Sequence, residues 1–205
     1  MGIEVDFRVL ELLCGRLCHE LISPVGAINN GVELLDEDDP EFVKEAMALI
    51  GQSARKAGQR LQFYRFAYGT AGAGTTPIDG REISAALLDG GKVSCAWTAE
   101  AANLAPHWQR LACNLLLLAA EMLPRGGAVR VRPLDGGIEV TAEGETVNIT
   151  DELRAALEPG MPIDALTPRT VHAYYTARLA QHVGARLALA GSEPGRGVLT
   201  AVPAG

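Results

Sequence analysis

The chain has 205 residues, room for one ordinary domain or two small ones, and its 48% apolar and 21% charged residues are the composition of a folded protein rather than a disordered one. Acid exceeds base along its whole length, with 7 Lys/Arg against 11 Asp/Glu in residues 1–68 and 11 against 14 in the rest, for a formal net charge of −7. That balance argues against nucleic acid or an anionic membrane as the main partner.

In chain order, the first predicted element is a long helix from about Val5 to Leu35. Leu10, Leu13, Cys14, Leu17, Leu21, Val25, Ile28, Val32 and Leu35 recur at three- and four-residue steps and form one apolar stripe. Glu4 and Asp6 at its start oppose a signal peptide. Cys14 and Cys18 stand one turn apart in no C-x-x-C pair. With His19 they could nucleate a metal site, but their spacing fits reduced thiols packed as small apolar residues better. The acidic run from Asp36 to Asp39 ends the helix, and Asp39 followed by Pro40 is an N-cap with proline in the first helical position. A second helix is expected over Pro40–Tyr68, with Phe42, Ala46, Leu49, Ile50, Ser53, Ala57, Leu61, Tyr64, Ala67 and Tyr68 inward and Gly69 as its stop.

Two helices joined by a short turn leave an apolar face uncovered, and a twofold copy covering it gives a four-helix bundle. A homodimer is therefore expected from residues 1–70. Residues 71–77, in a stretch of Gly and Thr, read as a linker, and residues 78–205 as a second domain.

In that domain a helix at about Gly80–Leu88 precedes a strand at Val93–Trp97. A helix at about His107–Leu123 follows. It holds the densest apolar run of the chain, too short to span a membrane, so a cytoplasmic protein is expected. Short alternating strands come next at Ala128–Arg132 and Ile138–Ala142, then a helix at Thr170–Val183 and strands at Arg186–Ala190 and Gly197–Val202. Antiparallel hairpins alternating with helices predict a two-layer α/β sandwich, and the whole chain an α+β protein.

The chemistry centres on the first helix. At about 100° per residue the apolar stripe lies almost opposite His19, which therefore faces solvent. Ser23, Gly26 and Asn30 share its side, all small or polar, and make a shallow surface on which another protein can lie. Pro24 sits mid-helix and removes a backbone hydrogen bond just after His19. A solvent-exposed imidazole is largely neutral at pH 7, as a nucleophile must be.

The stretch Cys18-His19-Glu20-Leu21-Ile22-Ser23-Pro24-Val25-Gly26-Ala27-Ile28 resembles the H-box of sensor histidine kinases, His-Glu-Leu-Arg-Thr-Pro-Leu. Ile22 stands where arginine is usual, and Ser23 where threonine or asparagine is common. The resemblance implies a dimerisation and phosphotransfer hairpin with His19 as phosphoryl acceptor on Nε2, and Glu20 orienting the ring or taking a proton from its other nitrogen. The docking face would be Ser23, Pro24, Gly26 and Asn30.

The second domain resembles the histidine kinase ATP-binding domain, most clearly in Leu179–Leu187 and Ser192–Gly197. Cys113-Asn114-Leu115-Leu116-Leu117-Leu118-Ala119 is similar to its N-box, Asn-Leu-Leu-x-Asn-Ala, with Leu118 in place of the second asparagine. Ala142-Glu143-Gly144-Glu145-Thr146 stands where Asp-x-Gly-x-Gly reads adenine, and Leu166-Thr167-Pro168-Arg169-Thr170 where a glycine-rich lid cradles phosphate. An intact H-box joined to a degenerate ATPase-like domain resembles the ChpT-type histidine phosphotransferases. What that implies is a phosphoryl relay between receiver domains, those of a hybrid histidine kinase and of response regulators, with no ATP and no cofactor of its own. Mg²⁺ would come with the receiver. Two other readings stand beside it, an atypical ATP-dependent kinase and a non-catalytic dimeric adaptor. Arg169, Tyr174, Tyr175 and Arg178 could add a second docking surface, or the tyrosines pack on the sheet. His107, His172 and His182 are dispersed, and His172 and His182 read as packing or helix-surface residues.

Overall fold

The computed structural model of the chain describes residues 6–36, 39–69, 79–134, 136–191 and 193–205. The expected linker at 71–77, and Ser192 in the closing motif, lie outside them. Helix α1 runs Phe7–Glu33 and is followed by a 3₁₀ turn, Leu34–Asp36; α2 runs Pro40–Tyr68. The Asp39 carboxylate accepts from Glu41 N at 2.9 Å, the cap that the Asp-Pro pair predicts. The two helices pack closest at small residues. A Cβ on Gly31 would meet Ile50 Cγ1 at 2.6 Å and the Ala46 carbonyl at 3.3 Å.

The second unit holds α3 (Gly80–Leu88), β1 (Val93–Trp97), α4 (Ala99–Ala102), α5 (Pro106–Glu121), β2 (Gly127–Leu134), β3 (Gly137–Glu143), α6 (Asp151–Leu157), α7 (Val171–His182), β4 (Ala185–Ala190) and β5 (Arg196–Pro203), with a 3₁₀ turn at Ile163–Ala165. The sheet order is β1-β2-β3-β5-β4. Beside the antiparallel hairpins, one edge of the sheet is parallel. β1 runs parallel to β2 because α4 and α5 cross over between them, with Val93 beside Gly127 and Trp97 beside Val131. Helices cover one face, and Val129, Val131, Ile138, Val140, Leu199 and Ala201 meet α5 and α7 in the core. On the other face Arg132 pairs with Glu139 at 2.5 and 2.8 Å across the β2–β3 ladder, as suits the solvated side of a sheet.

Helix α5 is buried without a break from Leu111 to Ala119, because it faces the sheet on one side and the hairpin on the other. Phe63, Tyr64, Phe66 and Ala67 of α2 pack on Cys113 and Leu117 there. The first turns of α1 add Val9 against Leu166 and Val171.

The hairpin's inward face differs from the expected one. Val9, Pro24 and Gly31 are the buried residues of α1, whereas Leu10, Val25, Val32 and Leu35 of the predicted stripe are exposed, as are Cys14 and Cys18. In α2, Phe42 and Leu61 are exposed, and Phe63 and Phe66 take the buried places. One helix stripe is broad enough to serve two neighbours. α2 and the second unit take one flank of α1, and the other flank stays open in the single chain. Among the described residues no helix is long and apolar enough to cross a membrane.

Candidate functional site

His19 is exposed near the middle of α1 and makes no hydrogen bond or ion pair among the described residues. Ser23 and Asn30 are exposed on the same side, and Gly26 has open space around its missing Cβ. Pro24 is buried, so it shapes this face from beneath rather than lining it. The proline falls on the flank that packs inward, about 140° round the helix from His19 at 100° per residue.

Glu20 does not turn to His19. Its carboxylate lies 3.4 Å from Arg60 Nη1 on α2, and the same nitrogen donates to the Glu20 main-chain carbonyl. One turn before His19, Arg16 reaches the other way and pairs with Glu121 at the end of α5. Burial pushes the Glu121 carboxyl up, opposed by the charge of Arg16 and by its hydrogen bond. Arg16, Glu20, Tyr64, Lys92 and Glu121 border a cleft of about 280 Å³ where hairpin and second unit meet. Arg16, Arg60 and Glu121 carry no motif in the sequence. Their partners lie 40 and 105 residues away, beyond any local signal.

The N-box-like helix is joined to the end of α2. Asn114 is fully buried, and its amide nitrogen donates to Ala67 O at 3.1 Å and to Arg110 O at 2.9 Å. Arg110 donates to Ala67 O at 3.1 Å, to Tyr68 O at 3.2 Å and to the Tyr175 hydroxyl at 2.5 Å. These bonds satisfy carbonyls that the last turn of a helix leaves without partners. His172 is wholly buried between Asn114 O at 3.2 Å and the Tyr68 hydroxyl at 2.8 Å. A carbonyl only accepts, so Nε2 carries the proton and Nδ1 accepts from Tyr68. Burial, helped by the charge of Arg16, pushes the His172 pKa down to about 3. His172 is thus a neutral packing residue, as expected. Tyr175 docks the hairpin through Arg110 and Ala67 O rather than lying free on the surface, while Arg169 and Arg178 are exposed.

Known proteins extend this picture. The family profile described as histidine phosphotransferase C-terminal domain matches residues 79–195. Protein phosphotransferase ChpT of Brucella abortus (strain 2308) is 36% identical over 202 residues, spanning 92% of this chain and 94% of that protein. The chain belongs to the ChpT-type histidine phosphotransferases. A solved bacterial phosphotransferase superposes with a TM-score of 0.78 at 30% identity, covering 98% of both chains. Like its family, this ChpT-type chain is a phosphotransferase enzyme of a phosphorelay, and response regulators in general are its partners.

Proposed function

We propose that His19 is the phosphoryl acceptor and that the chain relays the group between receiver domains as a homodimer without using ATP. The observation that carries this reading is the exposure of His19 on a face of small and polar side chains, which a receiver can approach closely. In the forward step the Nε2 lone pair attacks the phosphorus of a receiver's aspartyl phosphate. The N–P bond forms as the P–O bond to the aspartate breaks, and the carboxylate leaves with the electron pair. The reverse step loads the next receiver. Alignment of the two groups is most of what such a transfer asks of the protein.

Ser23, Gly26 and Asn30 would line the docking face, with Pro24 beneath it. Glu20 is the nearest acid in sequence, and it can take a proton from the imidazole only by leaving Arg60. A half-exposed pair of this kind contributes about 1 kcal/mol or less, so the exchange is open to it. Mg²⁺ is expected to arrive on the receiver, where it offsets phosphoryl charge. Glu20, the one carboxylate adjacent to His19 in sequence, is already held by Arg60.

The exposed Leu10, Val25 and Val32 of α1, with Met47 and Leu61 of α2, fit a second copy in a four-helix bundle. His19 lies well round the helix from that stripe, so pairing leaves it open. The reading without ATP is supported by Leu118, buried where the N-box has its second asparagine, and by Asn114, whose donors are both spent on main-chain carbonyls. Receiver domains reside in the cytoplasm, which sets the compartment.

The test mixes an ATP-free, phosphorylated receiver with the wild type and with His19→Ala. Acid-labile, base-stable phosphate should appear on the wild type alone. Labelling of the variant would refute the acceptor assignment. Labelling from ATP would favour a kinase, and no transfer from any cognate receiver an adaptor.

A further inference from the structure

A proline inside a helix lacks the N–H that the carbonyl four residues earlier would accept, and its ring pushes that carbonyl aside. In α1 the proline is Pro24, so the carbonyl left over is that of Glu20, the residue after His19. A main-chain acceptor orphaned in this way needs a donor from elsewhere. The donor comes from the other helix, where Arg60 Nη1 bonds Glu20 O. The same nitrogen stands 3.4 Å from Glu20 Oε2, so one guanidinium holds both the main chain and the side chain of Glu20.

Neither half of this arrangement is local. Arg60 and Glu20 are 40 residues apart, and they meet only because α1 and α2 pack as a hairpin. The ion pair by itself is weak, its side chains being 34% and 32% exposed. The bond to Glu20 O is of another kind, since it fills a gap that the chain cannot fill from within the helix.

We propose that Arg60 is a positioning residue for phosphoryl transfer at His19. It closes the backbone gap that Pro24 makes beside the histidine, and so fixes the turn that carries the imidazole. The proposal rests on His19 as acceptor. Its physical consequence is that loss of Arg60 loosens the turn carrying His19, and a displacement of about 1 Å at a reacting atom can slow a reaction by about a hundredfold.

The experiment is single-turnover transfer from a phosphorylated receiver to the full-length chain, with receiver concentration varied. The variants are Arg60→Ala, Pro24→Ala, the double variant and a His19→Ala control. Arg60→Ala should lower the limiting rate by about tenfold or more, while the half-saturating receiver concentration stays within about twofold. In the Pro24→Ala background residue 24 regains an N–H for Glu20 O. There the same Arg60→Ala change should cost about threefold or less, a coupling that marks the shared carbonyl. If Arg60→Ala does not fold, Arg60→Met replaces it, since methionine keeps an apolar stem of similar length and removes every donor. An equal loss in both backgrounds, a loss confined to the half-saturating concentration, or no loss would each overturn the proposal. The control separates the two failures. Phosphate on His19→Ala refutes the acceptor itself, whereas an unlabelled control beside a fully active Arg60→Ala refutes only the role of Arg60.

Discussion

His172 offers a sharp test of how the two units are joined, through His172→Gln. The wild-type ring is wholly buried, neutral and bonded at both nitrogens, to Tyr68 of the hairpin and to the Asn114 carbonyl of α5. Its pKa is pushed down to about 3, whereas an unfolded histidine titrates near about 6.5. As pH falls below the unfolded value the unfolded chain takes up a proton that the native chain refuses, so native stability declines. The decline continues until the native ring itself is protonated near the lower value. The slope approaches about 1.4 kcal/mol per pH unit, and integration gives about 2 kcal/mol lost between pH 7.5 and 5.0. Carboxylates elsewhere also titrate, but they are shared by the variant and cancel in the difference. Urea denaturation of both proteins at pH 7.5, 6.5 and 5.0, at one protein concentration, reads that difference. The wild type's advantage should shrink by about 2 kcal/mol across the range. A gap that moves by less than about 0.5 kcal/mol would refute the buried, neutral assignment.

Two more outcomes follow from the packing. Gly31→Ala gains up to about 1 kcal/mol of helix propensity but places a Cβ 2.6 Å from Ile50 Cγ1. Overpacking of about 1–3 kcal/mol should win, and a thermal melt should show a lower Tm; a higher one would mean that the two helices part without cost. Glu at both Val25 and Val32 puts charge on the exposed stripe of α1, and analytical ultracentrifugation should find a dimeric wild type and a monomeric double variant. A wild type that sediments as a monomer at all concentrations would sink the four-helix bundle.

Much of the architecture is written locally. Asp39-Pro40 marks the start of α2, and apolar spacing carries the helix to Tyr68, so that its bounds match the expected ones. α3 and β1 agree likewise, because caps and periodicities act within a few residues. α4 and α6 escape such a reading. With four and seven residues, they are too short for a periodic signal and depend on packing for their stability. The parallel pairing of β1 with β2 is also invisible to periodicity, since alternation tells which face a side chain takes and not which strand lies beside it.

The candidate site divides in the same way. The H-box pattern and the 3.6-residue repeat of α1 are enough to put His19 in solvent with Ser23, Gly26 and Asn30 around it. They are not enough to say which flank of the helix the chain's own elements cover, where Val9, Pro24 and Gly31 are buried while Leu10, Val25 and Val32 of the stripe stay exposed. Nor could they show that Glu20 answers to Arg60, that Asn114 holds Ala67 from 47 residues away, or that His172 bonds Tyr68 across 104. Sequence alone determined the longer helices, the strands and the exposed histidine, because these follow from forces between near neighbours along the chain. Tertiary structure decided the partners of Glu20, Asn114 and His172, because a hydrogen bond between distant residues exists only once the packing of other side chains has brought its two ends together.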